Sequence, residues 1–255
     1  MTERRYFTDD QIEAFERNGF VVLRGLYDAA AMADITAWVE DMQGRPETAG
    51  KWMKYFDESL TAPGARILNR VENFCPFHHG FDALMTAGEL SGRVGELFGE
   101  PAVLYKEKIN FKMPGGGGFD SHQDVQAGWD RYAKLHITAL VSVDAATVEN
   151  GCLEVAAGHH RRGIIGESWK PMDGDDLDGV EFTPVPTEPG DAVFFHSFAP
   201  HRSEPNLTNA PRRVLYVTYN KLSEGDHRAQ YYADKRLRYP PDIEREPGKE
   251  YVFRV

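Results

Sequence analysis

The chain contains 255 residues, and its 40 acidic and 29 basic side chains leave a formal net charge of −11. This length is sufficient for one domain with its own core. The negative charge argues against the basic surface that nucleic-acid binding requires, and it provides no attraction to anionic membranes. The sequence contains neither an apolar run long enough to span a membrane nor the apolar core of a secretory signal, so we expect a cytoplasmic protein.

The N-terminal part of the chain predicts helices. Thr8 or Asp9 can cap a first helix that stops at Asn18-Gly19, and a short strand is expected at Phe20–Leu23. A second stretch, about Ala29–Met42, carries apolar residues at helical spacing. It predicts an amphipathic helix that packs on a core.

The residue composition and pattern of the sequence change from Val103 onward. Short runs rich in Val, Phe, Tyr and Thr alternate with the turn signals GGGG, ENG, EPGD and NLTNAP. This pattern predicts an antiparallel β-barrel or sandwich with helices in front of it. The acidic, glycine-containing segment Glu167–Glu181 is weakly periodic and predicts a surface excursion or a lid.

One short motif carries the chemistry of a metal site. In FDSHQDVQAGW, His122 and Asp124 are two residues apart, and alternation along a strand places both side chains on one face. His201, in the run DAVFFHSFAPHRSEPN, can complete a set of two histidines and one carboxylate. Such a facial triad leaves open positions, which Fe(II) needs to bind a keto acid and O2. An isolated H-x-D motif also occurs by chance and is weak evidence alone.

The other histidines are weaker candidates for this metal. His159 and His160 are adjacent, so their side chains would diverge on a strand. His136 and His196 lie within apolar runs, where a hydrogen-bonded core histidine is more common.

Three segments, taken in order, resemble the phytanoyl-CoA dioxygenase family, which includes ectoine hydroxylase. They are FTDDQIEAFERNGFVVLRG at the start, NGCLEVAAGHH at a central turn and EPGDAVFFHSFAPHRSEPN around the last histidine. The central turn departs from the family pattern, because Ala157-Gly158-His159 stands where Pro-Gly-Ser is more usual.

The resemblance implies a fold that is mainly β with flanking helices, namely the double-stranded β-helix, a cupin-like jelly roll that holds iron at its mouth. It implies one Fe(II)/2-oxoglutarate dioxygenase domain over residues 1–255. Within it, we expect a helical N-terminal part that includes the substrate mouth (1–100), a jelly-roll core (101–225) and a C-terminal extension (226–255).

The resemblance also implies roles for residues that would bind the co-substrate 2-oxoglutarate. Arg212, eleven positions beyond the last triad histidine, matches the family arginine that grips the far carboxylate, which a planar guanidinium can bind bidentately. Arg213 points to the opposite face of the strand and is expected to form a surface ion pair. Asn110 lies where the family often has an asparagine that bonds the co-substrate. Thr138 and Ser203 lie where relatives offer hydroxyls, although each can equally satisfy backbone groups.

The activity implied is hydroxylation of a C–H bond with Fe(II), 2-oxoglutarate and O2, with release of succinate and CO2. Related halogenases carry a small residue in place of Asp124, so the aspartate favours hydroxylation. Two alternatives are a cupin-like protein that binds a metabolite or metal without turnover and a zinc hydrolase. The combination of the triad with Arg212 argues against the first. The lack of a nearby general base like the Glu of H-E-x-x-H argues against the second.

The run Val103–Met113 gives information about the substrate. Alternation places Tyr105 on one face with Val103, Ile109 and Phe111, while the other face is polar. Cations inside a barrel are costly unless an anion pairs with them, so this face predicts a negatively charged group on the substrate. The polar face comprises Lys106, Lys108, Asn110 and Lys112.

An alternative reading of these lysines is structural. One of them could pair with Glu72 or Glu107, while Lys112 could lie at the solvent-exposed end of the strand. Lys106 and Lys108 nevertheless remain our candidates for substrate binding.

Three aromatic residues are further candidates for the substrate pocket, namely Trp129, Tyr216 and Tyr55. Aromatic faces suit an ammonium or quaternary amine, although core packing is the default role of any one of them. A small zwitterion fits this picture, for example an amino acid, an ectoine-like compound or an aminophosphonate with a quaternary amine. A long acyl-CoA fits less well, and homo-oligomerisation is left open.

Overall fold

The computed structural model of the protein describes residues 5–252, so the first four and last three residues of the expected domain lie outside the described residues. Two antiparallel sheets are formed by the strands of this part. The strands are β1 (Phe20–Leu23), β2 (Met53–Glu58), β3 (Arg66–Glu72), β4 (Ala102–Lys112), β5 (Phe119–His122), β6 (His136–Ser142), β7 (Leu153–Val155), β8 (Thr183–Val185), β9 (Ala192–His196), β10 (His201–Ser203) and β11 (Arg212–Lys221).

The first two helices start where the sequence predicts. Thr8 caps α1 (Asp9–Asn18) in a capping box, and the helix ends at Gly19 in the left-handed conformation. The helix α2 (Ala29–Gly44) extends two residues beyond its predicted end. The remaining α-helices are α3 (His79–Asp82), α4 (Glu89–Phe98) and α5 (Arg228–Arg238). None of the helices between residues 5 and 252 is long and apolar enough to cross a membrane.

The larger sheet has seven strands in the order β1-β9-β6-β11-β4-β3-β2, and the smaller has four in the order β5-β10-β7-β8. The N-terminal hundred residues therefore contribute both edge strands of the larger sheet, β1 and β2, and also β3, in addition to helices. The mainly β fold with flanking helices agrees with the predicted double-stranded β-helix.

The two faces of the larger sheet have different partners. On the outer face, Ile109 and Val217 belong to a buried cluster with α2 and α4. On the inner face, Val193 and Val214 pack against Val155 of the smaller sheet. The interior of the barrel therefore has an apolar end, and its remaining wall is free to carry polar groups.

A β-bulge places Tyr105 on the face of β4 opposite to the one that simple alternation predicts. Thr218 pairs with Lys106, but the next residue of β11 pairs with Leu104, so Tyr105 is an extra residue in β4. The alternation shifts there, and Leu104 joins the outer cluster. Tyr105 packs instead against Trp129, with ring centroids 5.5 Å apart.

Glu107 anchors the C-terminal helix to the sheet. Its side chain is fully buried and accepts hydrogen bonds from the Cys75 backbone and from the guanidinium of Arg228 on α5. The Tyr232 hydroxyl donates to the Glu107 carbonyl oxygen at 2.8 Å. The predicted pairing of a β4 lysine with Glu107 is wrong, because Arg228 occupies this carboxylate.

We expect Glu107→Ala to lower the free energy of unfolding by about 3 kcal/mol, because the substitution leaves the half-buried Arg228 guanidinium and the buried Cys75 N–H without their partner. Urea denaturation of the purified variant measures this loss. Glu13→Ala, at an exposed position on α1, is the matched control and should change stability by less than about 0.5 kcal/mol. An equal effect of both variants would contradict this role of Glu107.

Candidate active site

Three side chains of the predicted triad converge at the mouth of the barrel. His122, at the end of β5, lies opposite His201 of β10 in the antiparallel register, and Asp124 follows two residues after His122. One potential ligand atom from each of the three lies within 4.8 Å of the others. This set of two imidazoles and one carboxylate, contributed from one side, suits a facially bound Fe(II).

Backbone carbonyls orient both imidazoles. Nδ1 of His122 lies 2.6 Å from the Asp120 carbonyl oxygen, and Nδ1 of His201 lies 3.0 Å from that of Ala199. Since a carbonyl only accepts, each Nδ1 carries the proton and each Nε2 presents a lone pair. Burial, followed by the neighbouring His201, lowers the pKa of His122 to about 3, which keeps that imidazole neutral.

Asp124 is held by a hydroxyl and by positive charge. Burial raises its pKa, but His201 and Lys108 together lower it below the usual value, so the group is a carboxylate. Thr138 donates to its Oδ2 at 3.3 Å and also contacts the Thr218 hydroxyl. The Thr138 hydroxyl thus orients the carboxylate, and this contact differs from both uses expected from the sequence.

The inner face of β4 and β11 forms a ladder of charged and polar side chains. Residues directly opposite each other in this antiparallel pair lie on the same face. The opposed pairs, starting from the end of β4, are Lys112 with Arg212, Asn110 with Val214, Lys108 with Tyr216, and Lys106 with Thr218.

At one end of this ladder, Arg212 is only 1% exposed. Its Nε and the Oδ1 of Asn110, which is also buried, have no hydrogen-bond partner in the described part of the chain. Burial lowers the pKa of Arg212, although Tyr216 hydrogen-bonds to it. Unsatisfied buried polar atoms of this kind are expected where a polar ligand binds.

Arg213 has the ion pair that the sequence predicts. Its Nε donates to Asp144 at 2.8 Å, and a second guanidinium nitrogen donates to the other oxygen of the same carboxylate at 2.8 Å. The two adjacent arginines therefore differ in availability, since only Arg212 has an unpartnered guanidinium atom.

At the other end of the ladder, two lysines lie over aromatic rings. Nζ of Lys106 is 4.9 Å from the ring centroid of Trp129, and Nζ of Lys108 is 4.6 Å from that of Tyr216. These aromatic faces are therefore already covered by cations of the protein itself. Burial, followed by Lys106, lowers the pKa of Lys108 to about 8.

A cavity of about 710 Å³ joins these lysines to His122 and Asp124. Its walls also include Trp129, Phe119 and residues 168–171 of the segment predicted to be a surface excursion or a lid. A lid function of the segment Glu167–Glu181 stays a prediction.

One buried carboxylate in the cavity wall is already compensated. Glu72 accepts from Nζ of Lys235 at 2.6 and 2.7 Å and from Nε of Arg70 at 2.8 Å. Burial would raise its pKa, but the positive charges of Lys235, Lys106 and Arg70 keep it well below the usual value. No ion pair joins Lys106 or Lys108 to a carboxylate within residues 5–252.

Tyr55, a predicted substrate-pocket residue, packs behind the cavity wall and does not line the cavity. It is 2% exposed, its hydroxyl donates to the Tyr239 carbonyl oxygen at 2.8 Å, and the two rings are stacked 5.4 Å apart. Tyr239 lines the cavity in its place, as do Tyr231 and Lys235 of the C-terminal extension. Sequence reasoning missed these three, because α5 and the residue after it carry no metal or co-substrate motif.

The model of the family described as phytanoyl-CoA dioxygenase (PhyH) matches residues 15–214 of this sequence. The chain belongs to this family. It is a non-heme iron, 2-oxoglutarate-dependent dioxygenase, as the resemblance of its motifs predicted.

Two curated relatives of this dioxygenase are 44% identical to it. One is a 2-aminoethylphosphonate dioxygenase from uncultured bacterium HF130_AEPn_1, matched over 251 residues that cover 96% of this chain and 94% of the relative. The other is a methylphosphonate hydroxylase from Gimesia maris, matched over 230 residues that cover 90% and 86%. The ectoine dioxygenase of Bordetella bronchiseptica is 24% identical, with 84% and 75% covered.

Solved structures show the same fold. EctD from S. alaskensis, crystallised with 2-oxoglutarate and 5-hydroxyectoine, superposes with a TM-score of 0.74 at 20% identity, covering 88% of this chain and 79% of EctD. The epimerase SnoN, crystallised with Fe3+, alpha ketoglutarate and nogalamycin RO, gives a TM-score of 0.72 at 18% identity, covering 96% and 94%.

Proposed function

We propose that this dioxygenase hydroxylates a C–H bond of a small organophosphonate, with an aminoalkylphosphonate such as 2-aminoethylphosphonate as the best candidate. The observation that carries the proposal is the pair Lys106 and Lys108. Both face the cavity beside the triad, and neither forms an ion pair with a carboxylate of the described residues. Two cations in a partly desolvated site favour a doubly charged anion over a singly charged one.

The proposed metal ligands are His122, Asp124 and His201, because their donor atoms converge and both Nδ1 atoms are occupied by carbonyls. When bound, iron and 2-oxoglutarate supply the oxidising chemistry that converts C–H to C–OH, with succinate and CO2 as the products of the co-substrate. The protein's own groups bind and orient the two anions.

For 2-oxoglutarate, the proposed contacts are Arg212, Asn110 and Ser203. The unpartnered Arg212 Nε and Asn110 Oδ1 support this assignment. Thr138 is proposed to orient Asp124 and to leave the co-substrate to the other three residues.

Charge at the outer rim supports an amino group on the substrate. The side chains of Asp57 and Asp120 are exposed and line the same cavity as the two lysines. A substrate with its phosphonate on Lys106 and Lys108 can direct an ammonium towards this negative rim. Trp129 and Tyr216 position the lysines in this proposal, and Tyr55 supports the wall through Tyr239.

The two relatives at 44% identity bear phosphonate substrates in their names, which supports the same substrate class for this chain. A non-catalytic metabolite-binding role is disfavoured by family membership. Homo-oligomerisation and a cytoplasmic location stay predictions.

The proposal is tested by substrate-dependent succinate release with Fe(II), 2-oxoglutarate and O2. We expect turnover with 2-aminoethylphosphonate and much less with β-alanine, which has the same amine and chain but a carboxylate. His122→Ala, Asp124→Ala and His201→Ala should each abolish turnover while circular dichroism shows a folded protein. Preference for β-alanine, or full turnover with a chelator present, would refute the proposal.

Lys108→Met should raise the KM for the phosphonate by about ten- to a hundredfold with 2-oxoglutarate saturating, because the variant keeps the stem but loses the charge. The melting temperature should hold or rise, since burial opposes the charge of Lys108 in the folded state. Lys134→Met, at an exposed position, is the control. An unchanged KM with a lowered melting temperature would assign Lys108 to the fold.

Arg212→Lys should raise the apparent KM for 2-oxoglutarate by about ten- to a hundredfold, because it removes the planar fork that binds a carboxylate bidentately. Arg213→Lys should change this KM little, since Arg213 is already paired with Asp144. Initial rates at saturating substrate measure both. The reverse order of effects would transfer the co-substrate role to Arg213.

A further inference from the structure

Lys112 lies inside the protein, which corrects the alternative expectation that it reaches the solvent-exposed end of β4. The residue is 3% exposed. Its Nζ lies 2.7 Å from Ser203 Oγ, 2.5 Å from the Glu204 carbonyl oxygen and 3.3 Å from that of Gly151. Position 151 requires glycine for this close approach. The φ of Gly151 is +74°, and a Cβ there would lie 2.9 Å from Nζ of Lys112.

The partners of this amine can satisfy both of its protonation states, and the Ser203 hydroxyl points in a different direction in each. Both carbonyl oxygens can only accept, so Nζ donates two N–H groups to them in either state. If the amine is neutral, its lone pair accepts the Ser203 hydroxyl proton. If it is an ammonium, its third N–H donates to Ser203 Oγ, and the hydroxyl proton of Ser203 is free to bind another acceptor.

This hydroxyl faces the interior of the barrel. Ser203 is two residues from His201 on β10, so alternation directs both side chains to the same face. Lys112 lies directly opposite Arg212 in the β4–β11 register, which places the two cationic side chains on one face. Arg212, Lys112 and Ser203 therefore surround the end of the barrel assigned above to the far carboxylate of 2-oxoglutarate.

The charged and titratable groups that face Lys112 leave it without a compensating anion. Besides Arg212, they are Cys152, Glu204 and Glu154. Burial raises the pKa of Cys152, so this thiol is neutral. Glu154 is paired with Arg202 at 2.8 Å, and Glu204 is exposed to solvent. Burial and then Arg212 lower the pKa of Lys112 to about 6.

We propose that Lys112 is a proton-coupled positioning residue for 2-oxoglutarate, whose ammonium form turns the Ser203 hydroxyl towards the co-substrate carboxylate. The neutral amine takes up one proton from solvent as the dianion binds, and no covalent bond changes. This inference rests on the proposed roles of Arg212 and Ser203. It predicts that co-substrate affinity falls as the pH rises, because the proton is harder to acquire.

Isothermal titration calorimetry tests this on the Fe(II)-loaded protein without O2 or substrate. Titrations of 2-oxoglutarate in HEPES and in Tris, which differ in ionisation enthalpy, give the number of protons exchanged. We expect an uptake of about one proton at pH 8 that falls towards zero below pH 6, and a Kd that rises about tenfold per pH unit above pH 7. An uptake near zero at pH 8 would overturn the inference.

Two variants identify the proton acceptor. Lys112→Met and Lys112→Gln should both bind 2-oxoglutarate at least tenfold more weakly at pH 6, with no proton uptake and a Kd independent of pH. The glutamine amide can still donate to the two carbonyls, which preserves a folded protein if the methionine variant unfolds. Lys134→Met, at an exposed position outside the barrel, should retain the uptake. Uptake that persists in Lys112→Gln would assign the proton to another group.

The same data separate this inference from the proposed function. If 2-oxoglutarate gives neither binding heat nor an increase in melting temperature, the co-substrate assignment fails and the inference fails with it. If 2-oxoglutarate binds normally without proton exchange, only the role of Lys112 is overturned.

Discussion

The pairing of β4 with β11 is the interaction on which the site depends. Its register directs three lysines of β4 and Arg212 of β11 into the barrel interior. A slip of β4 by one residue would turn its three lysines towards the helices. Buried cations are costly without anions. The protein supplies anions elsewhere, as Glu107 does for Arg228 and Glu72 does for Lys235. Within residues 5–252, no ion pair joins the cations of the ladder to a carboxylate.

The two ends of this ladder explain how one barrel can take two different anions. Arg212 and Lys112 lie at the end proposed for 2-oxoglutarate, while Lys106 and Lys108 lie at the end that opens into the cavity. The smaller sheet contributes both histidines of the triad between these ends. Each bound anion would compensate the charge of buried cations in the ladder. The desolvated cations that oppose folding are therefore the same groups that supply affinity and specificity for the anions.

Local patterns in the sequence were enough to predict the frame of the molecule. The cap at Thr8, the strand β1 and the jelly roll are all present, because capping and alternation are short-range properties. His122 and Asp124 converge as the two-residue spacing predicted, but only His122 lies on a strand, because Asp124 begins the 3-10 turn that follows β5. The available guanidinium of Arg212 and the paired one of Arg213 likewise follow from alternation along β11.

The partners of these side chains were decided only by the tertiary structure. The bulge moves Tyr105 to the other face, Arg228 takes Glu107 away from the lysines, and the loops at Gly151 and Glu204 enclose Lys112. Each of these contacts joins residues more than thirty positions apart or depends on such a pairing. Sequence by itself determined that the polar side chains from Lys106 to Lys112 face inward, since alternation is local and this stretch follows the bulge. Their protonation and availability depend on distant segments that displace water from them, and only packing brings those segments together.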